Sequence, residues 1–289
     1  MIDTTLNVWY SFNVQISRWG NEPMKPLTIA LAQIDLALGN PFKNLDAARA
    51  KIAEARARGA DIVVLPELWS TAYDLERAVE HASALDAGMF AAMEDAAREH
   101  HIAVVGSLLE SLEGKVHNTA TFIDARGNPI GAYRKLHLVP MLDEDKYLVG
   151  GDAAPVFSAE FGMFALGVCY DLRFPELWRH YALAGARLAF LPAEWPIQRI
   201  AHWRTLLPAR AIENQIFIAA TNRVGASKGE TFGGHSMIVN PWGEILVEGG
   251  ERDALLIAQI DLDLVDQVRQ RVPVFRDRRQ DVYSQWSKT

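Results

Sequence analysis

A strand, a helix and a second strand follow one another in residues 27–67, which read LTIALAQIDLALGNPFKNLDAARAKIAEARARGADIVVLPE. The apolar run 27–34 is typical of a buried strand, and residues 44–58 carry apolar side chains at helical spacing before a stop at Gly59. A short, fully apolar run at 61–65 predicts the second strand. This alternation of strand and helix predicts an α/β fold.

The same alternation continues to the end of the chain, without a linker, repeat or low-complexity segment. Apolar runs predict further strands at 101–106, 116–134 (two strands with a turn at 126–129), 164–169, 187–191, 216–222, 236–240, 244–248 and 255–260. Helical spacing predicts helices at 75–100, 174–185 and 200–214. Three glycines spaced by four residues favour a mobile loop at 225–233. We therefore expect one domain in which stacked sheets are covered by helices.

Composition argues against several classes of protein. The 289 residues are 49% apolar and 22% charged with a net charge of −7, so the chain can bury a full core but has no basic patch for nucleic acid. No apolar run approaches the roughly 18 residues that span a bilayer, which argues against a membrane protein. The eight histidines show no metal-ligand spacing. The single cysteine cannot form an intrachain disulfide, which is typical of the reducing cytoplasm.

Residues 1–23, MIDTTLNVWYSFNVQISRWGNEP, differ in character from the rest of the chain. They lack the basic, apolar and cleavage regions of a signal peptide, and a more ordinary opening begins at Met24. We expect a poorly ordered or loosely packed N-terminal extension, followed by one domain over 24–289. The alternative is an amphipathic arm that docks on a partner through its aromatic residues, Trp9, Tyr10, Phe12 and Trp19.

Three reactive residues directly follow apolar strands, where α/β folds build their sites. Glu67 lies among apolar neighbours and is a candidate general base, with a strand-end cap or salt bridge as the alternative. Lys135 is a candidate cation for an oxyanion, unless it is simply a solvated strand end. Cys169 lies in a sharp turn before a helix that opens at Pro175. The helix N-terminus and a nearby lysine favour a nucleophilic thiolate over an inert core thiol.

The three residues together are more specific than any one of them. A thiol nucleophile needs a base for its proton, and the tetrahedral intermediate needs a cation or an amide N–H for its oxyanion. Glu67, Lys135 and Cys169 supply these groups, and the combination predicts a cysteine hydrolase.

The segments LPE (65–67), YRKLH (133–137) and GVCYD (167–171) resemble the three signature blocks of the nitrilase, or carbon–nitrogen hydrolase, superfamily. The resemblance runs from about residue 24 to residue 283. It implies a four-layer αββα sandwich of the nitrilase type, which pairs into a homodimer or a higher homo-oligomer. It also implies a Glu-Lys-Cys triad, a thioester intermediate, a small-molecule amide substrate and no metal or organic cofactor.

Further segments resemble the ω-amidase branch of this superfamily: AHW (201–203), ARAIEN (209–214), HS (235–236), NPWGE (240–244) and PVFR (273–276). This resemblance implies deamidation of short dicarboxylate monoamides such as α-ketoglutaramate. Three sister activities use the same triad: N-carbamoyl amino-acid hydrolase, deaminated-glutathione amidase and nitrilase. A non-catalytic binding protein of the same fold is the alternative from another class, and the presence of all three triad residues argues against it.

The resemblance also implies a second glutamate after the lysine, for which Glu144 in LDEDK (142–146) is the best match. We expect the backbone N–H of Tyr170 to share the oxyanion with Lys135. The residues expected close to the substrate are Tyr73, Arg173, Glu194 and Trp195. A substrate carboxylate would need a cation, and the candidates are Arg173, Arg199 and Arg204. The alternative for each arginine is a surface or structural role, and the alternative for Tyr73 is a place in the core or at the rim.

Overall fold

The computed structural model describes residues 25–286, so the expectations for residues 1–23 lie outside the described residues. Its strands are β1 (Leu27–Gln33), β2 (Ile62–Val64), β3 (Ala103–Leu112), β4 (Lys115–Ile123), β5 (Pro129–Arg134), β6 (Val156–Ala159), β7 (Gly162–Leu166), β8 (Leu188–Ala193), β9 (Phe217–Asn222), β10 (Val224–Ser227), β11 (Glu230–Gly233), β12 (Met237–Val239), β13 (Ile245–Glu248) and β14 (Ala254–Ile260). Its α-helices are α1 (Pro41–Ala57), α2 (Ala78–His81), α3 (Gly88–His100), α4 (Glu144–Tyr147), α5 (Pro175–Leu183), α6 (Ile200–Asn214), α7 (Asp263–Arg271) and α8 (Gln280–Trp286).

The strands form two six-stranded sheets and a separate hairpin. The first sheet has the order β14-β1-β2-β3-β4-β5, and the second has the order β13-β12-β9-β8-β7-β6. In the centre of each sheet three strands run parallel, β1 to β3 and β7 to β9, while the flanking pairs are antiparallel. The parallel strands of a sheet therefore end at one common edge.

The sheets pack face to face, and helices cover their outer faces. Successive side chains of β1 point to opposite faces of its sheet, so one strand contributes both to the contact between the sheets and to the contact with the helices. Ile29 and Leu31 belong to the apolar cluster shared with Phe190 of the second sheet, whereas Ala30 and Ala32 belong to the cluster that includes α1 and α3. Helices α5 and α6 pack on the second sheet in the same way. The structure thus confirms the expected four-layer αββα sandwich.

The helix expected over 75–100 is broken in the structure. A 3₁₀ turn at Leu75–Arg77 and the short α2 are followed by an extended segment at Ser83. The Ser83 N–H donates to the carbonyl of Leu109 at 3.2 Å, and the Ser83 carbonyl accepts from Ser111 N–H at 2.8 Å. The expectation of one continuous helix was wrong because hydrogen bonds to β3, distant in sequence, override the local helical pattern.

The mobile loop expected at 225–233 is a β-hairpin instead. Strands β10 and β11 pair antiparallel, from Val224 opposite Gly233 to Ser227 opposite Glu230. The turn residues Lys228 and Gly229 have φ of +49° and +80°, as a two-residue type I′ turn requires. No helix within residues 25–286 combines the length and the apolar character needed to cross a membrane.

Candidate active site

The reactive residues lie just beyond the carboxyl ends of strands that point to one edge of the sandwich. Glu67 follows β2, Lys135 follows β5, Cys169 follows β7 and Glu194 follows β8. Strand β5 is two antiparallel steps from β3 and therefore runs in the same direction as β2. Segments far apart in sequence meet here because parallel strands end at the same edge.

Lys135 joins two glutamates into one buried cluster. Its Nζ lies 2.8 Å from Oε1 of Glu67 and 2.8 Å from Oε1 of Glu144. The hydroxyl of Tyr73 lies 3.1 Å and 3.0 Å from the same two oxygens. All four side chains are buried. The structure therefore brings together Glu67, Lys135, Glu144 and Tyr73, as the sequence led us to expect.

The carboxylate of Glu67 is held from several directions. Asn118 on β4 donates its side-chain N–H to Oε1 at 2.8 Å, and the backbone N–H of Glu194 donates to Oε2 at 2.9 Å. The turn after Glu67 is fixed by Ser107, whose hydroxyl accepts from Leu68 N–H at 2.9 Å. Both carboxylate oxygens thus face donors, and these donors set the direction of the carboxylate.

Cys169 occupies a strained turn. Its φ is +44°, a left-handed conformation that costs a non-glycine residue roughly 1–3 kcal/mol and is concentrated at functional sites. The residue begins a 3₁₀ turn over Cys169–Arg173, and its thiol is buried and within electrostatic range of Glu67 and Lys135. The backbone therefore points the only thiol of the chain at the cluster around Lys135.

Asp171 fastens the cysteine turn to the segment that carries the lysine. Its Oδ2 accepts from Val168 N–H at 2.9 Å and from the Tyr133 hydroxyl at 2.8 Å. Its Oδ1 lies 2.7 Å from Nδ1 of His137. Tyr133 and His137 stand on either side of Lys135 in the sequence, so one buried carboxylate links the nucleophile turn and the lysine turn.

The electrostatics of the cluster keep Lys135 charged. Burial alone would lower the pKa of Lys135, but the carboxylates of Glu144 and Glu67 outweigh it and raise that pKa. Burial raises the pKa of Glu144 against the opposing effect of Lys135. Burial also raises the pKa of Tyr73, and the two carboxylates raise it further. The site therefore contains a fixed ammonium beside a neutral phenol.

Burial and the surrounding charges favour the protonated form of the Cys169 thiol. Burial raises the pKa of Cys169 well above its ordinary value, and the charge of Glu67 raises it further. Lys135 lowers the pKa, as expected from the sequence, but its effect is outweighed. The sequence led us to expect that the lysine favours the thiolate; in the structure it does so, but burial and the Glu67 carboxylate have the larger effect on the pKa of the thiol. A base must therefore remove the proton during the attack.

The three candidate arginines differ in their surroundings. Arg173 lies with its guanidinium carbon 4.6 Å from the ring centre of Trp195, and its pKa is lowered by burial and by the nearby charge of Arg199. Within residues 25–286, neither Arg173 nor Arg199 forms an ion pair with a carboxylate. Arg204 is exposed and pairs with Glu248 at 2.7 Å. Only the first two are available to an anionic ligand.

A cavity of about 270 Å³ opens beside Tyr73 and is lined also by Met141 and by Phe232 of β11. This volume suits a small molecule, and Tyr73 is the one expected site residue that lines it. A larger cavity of about 660 Å³ is lined by Leu27 and Leu262, near the opposite ends of the strands, and none of the expected site residues lines it. Over the described part of the chain, no group of three or more His, Cys, Asp or Glu side chains is arranged to hold a metal ion.

The match to known proteins covers most of the chain. A family model described as carbon-nitrogen hydrolase matches residues 28–270. The chain belongs to the carbon–nitrogen hydrolase family. It is 41% identical to the 2-oxoglutaramate amidase of Bacillus subtilis, over 89% of this chain and 99% of that protein. It is 33% identical to the omega-amidase NIT2 of Homo sapiens, over 90% of this chain and 98% of that protein. The family expected from the sequence blocks is confirmed, and with it a hydrolase acting on carbon–nitrogen bonds.

Solved structures agree with the fold of this hydrolase. A CN-hydrolase superfamily protein from Xanthomonas campestris, with an arsenic adduct in its active site, superposes with a TM-score of 0.82 at 29% identity, over 88% of this chain and 98% of that one. A mutant amidase from Nesterenkonia sp. AN1, with acrylamide added to its active site cysteine, gives a TM-score of 0.80 at 30% identity, over 90% and 99%. The structural similarity to both proteins extends over nearly the whole sandwich.

Sequence reasoning missed three buried polar residues around the site of the hydrolase. Asn118 orients Glu67, Asp171 links the two turns, and Arg223 pairs with the Glu194 side chain at 2.9 Å. Asn118 carried no clear sequence signal, because β4 also contains Lys115, His117, Thr119 and Thr121. The signal for Arg223 was a charged residue directly after the mostly apolar run of β9, and the structure buries it entirely.

Proposed function

We propose that this carbon–nitrogen hydrolase is a cysteine-dependent ω-amidase that converts α-ketoglutaramate (2-oxoglutaramate) and water to 2-oxoglutarate and ammonia. The observation that carries the chemistry is the buried contact of 2.8 Å between Lys135 Nζ and Glu67, beside the Cys169 thiol. The names of the two relatives, 2-oxoglutaramate amidase and omega-amidase, support the choice of substrate.

In the first half of the reaction, Glu67 accepts the thiol proton of Cys169 while the sulfur attacks the amide carbon. The carbonyl oxygen becomes an oxyanion, which Lys135 Nζ and the backbone N–H of Tyr170 stabilise. This N–H makes no hydrogen bond to other residues of the 25–286 range, so it is available to the oxyanion. Glu144 and Tyr73 hold Lys135 in position.

In the second half, the carbon–nitrogen bond breaks as Glu67 returns its proton to the nitrogen, and ammonia leaves a thioester on Cys169. Water then gives a proton to Glu67 and attacks the thioester carbon, with the same oxyanion donors. The carbon–sulfur bond breaks, the sulfur recovers the proton, and the acid is released. Amide and water supply every atom of the products.

We assign the remote carboxylate of the substrate to Arg173 and Arg199. Two neighbouring guanidinium groups without a carboxylate partner favour an anion between them. Arg173 is also within electrostatic range of Cys169, and Trp195 supports its guanidinium from one face. A short dicarboxylate monoamide would place its carboxylate here while its amide reaches the thiol.

Residues 24–289 form the hydrolase domain in this proposal, and the lone free cysteine suits a reducing cytoplasm.

The domain pairs with a second copy through the outer face of α5 and α6, where large apolar side chains are exposed, among them Leu183 and Ile212. Light scattering should give the mass of a homodimer or a higher homo-oligomer, which Ile212→Asp lowers. Val79→Asp, an exposed apolar position on α2, is the matched control and should leave the mass unchanged. A monomeric wild type would contradict the assembly.

The function is tested by ammonia release from a panel of substrates: α-ketoglutaramate, succinamate, glutamine, an N-carbamoyl amino acid and a simple nitrile. We expect the highest kcat/KM for α-ketoglutaramate and succinamate, and no turnover by a folded Cys169→Ala variant. Preference for the carbamoyl compound or the nitrile would contradict the assigned substrate. Turnover by Cys169→Ala would contradict the assigned chemistry.

A further inference from the structure

We propose that Glu194 and Arg223 form a buried positioning pair that fixes the direction of the Glu67 carboxylate without touching the substrate. The inference rests on the proposed role of Glu67 as the base for Cys169. It adds two residues on which the rate of proton transfer depends. It also assigns a function to the end of β8, which is to orient Glu67.

The link to Glu67 is a backbone hydrogen bond. The N–H of Glu194 donates to Oε2 of Glu67 at 2.9 Å and is the donor to this oxygen within the described range. Lys135 and Asn118 both bind the other oxygen, Oε1. The position of the main chain at Glu194 therefore decides how the carboxylate is rotated.

The side chain of Glu194 anchors that main chain. Its Oε2 lies 2.9 Å from Nη1 of Arg223, and both side chains are entirely buried. Arg223 in turn donates to the carbonyl of Leu36 at 2.9 Å, pairs with Asp35 at 3.1 Å and lies 4.4 Å from the ring centre of Phe232. The pair thus ties the end of β8 to the end of β1 and to the hairpin that lines the cavity.

Stability alone does not account for this pair. A buried ion pair often contributes no more to stability than an apolar pair of similar volume. The second oxygen of Glu194, Oε1, is buried and has no hydrogen-bond partner in residues 25–286. Burial raises the pKa of Glu194 to about 7, against the effect of Arg223, while Glu67 raises it and Lys135 lowers it. Burying the Glu194–Arg223 pair beside Glu67 costs free energy, and this cost is explained if the pair holds the Glu67 carboxylate in place.

The test compares Glu194→Gln and Arg223→Lys with the wild type on α-ketoglutaramate. We expect kcat to fall about 10–100-fold, as for a catalytic group misplaced by about 1 Å, with KM changed less than about twofold. Alkylation of Cys169 by iodoacetamide at pH 7 should slow in parallel, because it also needs Glu67. In the wild type, kcat should rise with pH through about 7 as Glu194 ionises, and Glu194→Gln should lack this limb.

Arg187→Lys is the matched control. Arg187 pairs with Asp266 at 2.7 Å next to the start of β8, away from the site, and this variant should keep wild-type kcat. Glu194→Gln keeps the shape of the side chain, so it alone tests the positioning role if Arg223→Lys does not fold. Wild-type kcat and pH profile in Glu194→Gln would overturn the positioning role alone. An active Cys169→Ala variant would instead overturn the proposed chemistry.

Discussion

The side chain of Lys135 is buried, so the protein itself must balance its charge. Glu67 and Glu144 do so at 2.8 Å each, and the hydroxyl of Tyr73 fills the space between their oxygens. Removing one partner from such a group leaves a buried charge unpaired and is strongly destabilising. Single substitutions in this cluster are therefore most informative when the new side chain keeps the shape of the old one and lacks a single polar group.

Tyr73→Phe removes only the hydroxyl that contacts both carboxylates. Hydrogen bonds to charged groups contribute about 1.5–3 kcal/mol, so kcat for α-ketoglutaramate should fall roughly 10–100-fold while the fold is kept. Steady-state ammonia assays measure this change. Tyr283→Phe, on α8, is the control with the same chemical change and should behave as wild type. An unchanged kcat in Tyr73→Phe would show that the hydroxyl has no part in positioning Lys135.

Arg173→Met tests the assigned carboxylate contact. Loss of a charge-assisted contact of about 1.5–3 kcal/mol should raise KM for α-ketoglutaramate roughly 10–100-fold. The matched control is Arg204→Met, because Arg204 is already paired with Glu248 and should leave KM unchanged. Equal effects of the two substitutions would argue against a specific site at Arg173.

The raised pKa of Cys169 predicts how its reactivity depends on pH. A group whose pKa is raised ionises only at higher pH, so the thiolate fraction is small at neutral pH. In Glu67→Gln, alkylation by iodoacetamide should be slow at pH 7 and should accelerate as the pH rises into the alkaline range. Intact mass follows the reaction directly because the chain has one cysteine. A fast, pH-independent rate between pH 6 and 8 would indicate a resting thiolate and contradict this electrostatic account.

At the scale of elements, most strands could be predicted because their apolar runs are local signals. The runs at 27–34, 216–222 and 255–260 correspond closely to β1, β9 and β14, and α6 has the predicted bounds. The break in the helix at Ser83 could not be predicted, since its hydrogen-bond partners lie on β3. The hairpin at 224–233 was missed because its glycines resemble those of a flexible loop.

The hairpin β10–β11 gives a prediction at this scale. Lys228 in its turn forms an ion pair with Glu76, across the cavity mouth from the hairpin. Exposed pairs contribute about 0–1 kcal/mol, so Lys228→Ala should lower the free energy of unfolding by less than about 1 kcal/mol. KM should nevertheless rise several-fold, because Phe232 of the hairpin lines the cavity. Lys51→Ala, which removes a surface pair with Asp253, should change neither property, and an equal KM for both variants would refute the role of the hairpin.

At the scale of the molecule, the site exists because both sheets direct their parallel strands to one edge. Glu67 and Lys135 come from the first sheet, and Cys169 comes from the second. The sequence predicted these three residues because each directly follows an apolar strand. It could not predict the supporting contacts of Asp171 and Arg223, since these depend on how the sheets and turns meet in space.

The most direct test of this account is the mass of the enzyme during turnover. Wild-type protein mixed with α-ketoglutaramate and quenched in acid should carry one acyl group, with the mass of the substrate less ammonia, on the peptide that contains Cys169. The adduct should disappear when the substrate is exhausted, and Cys169→Ala should never show it. Ammonia release by an enzyme that never carries this acyl group, or an adduct on another residue, would contradict the account.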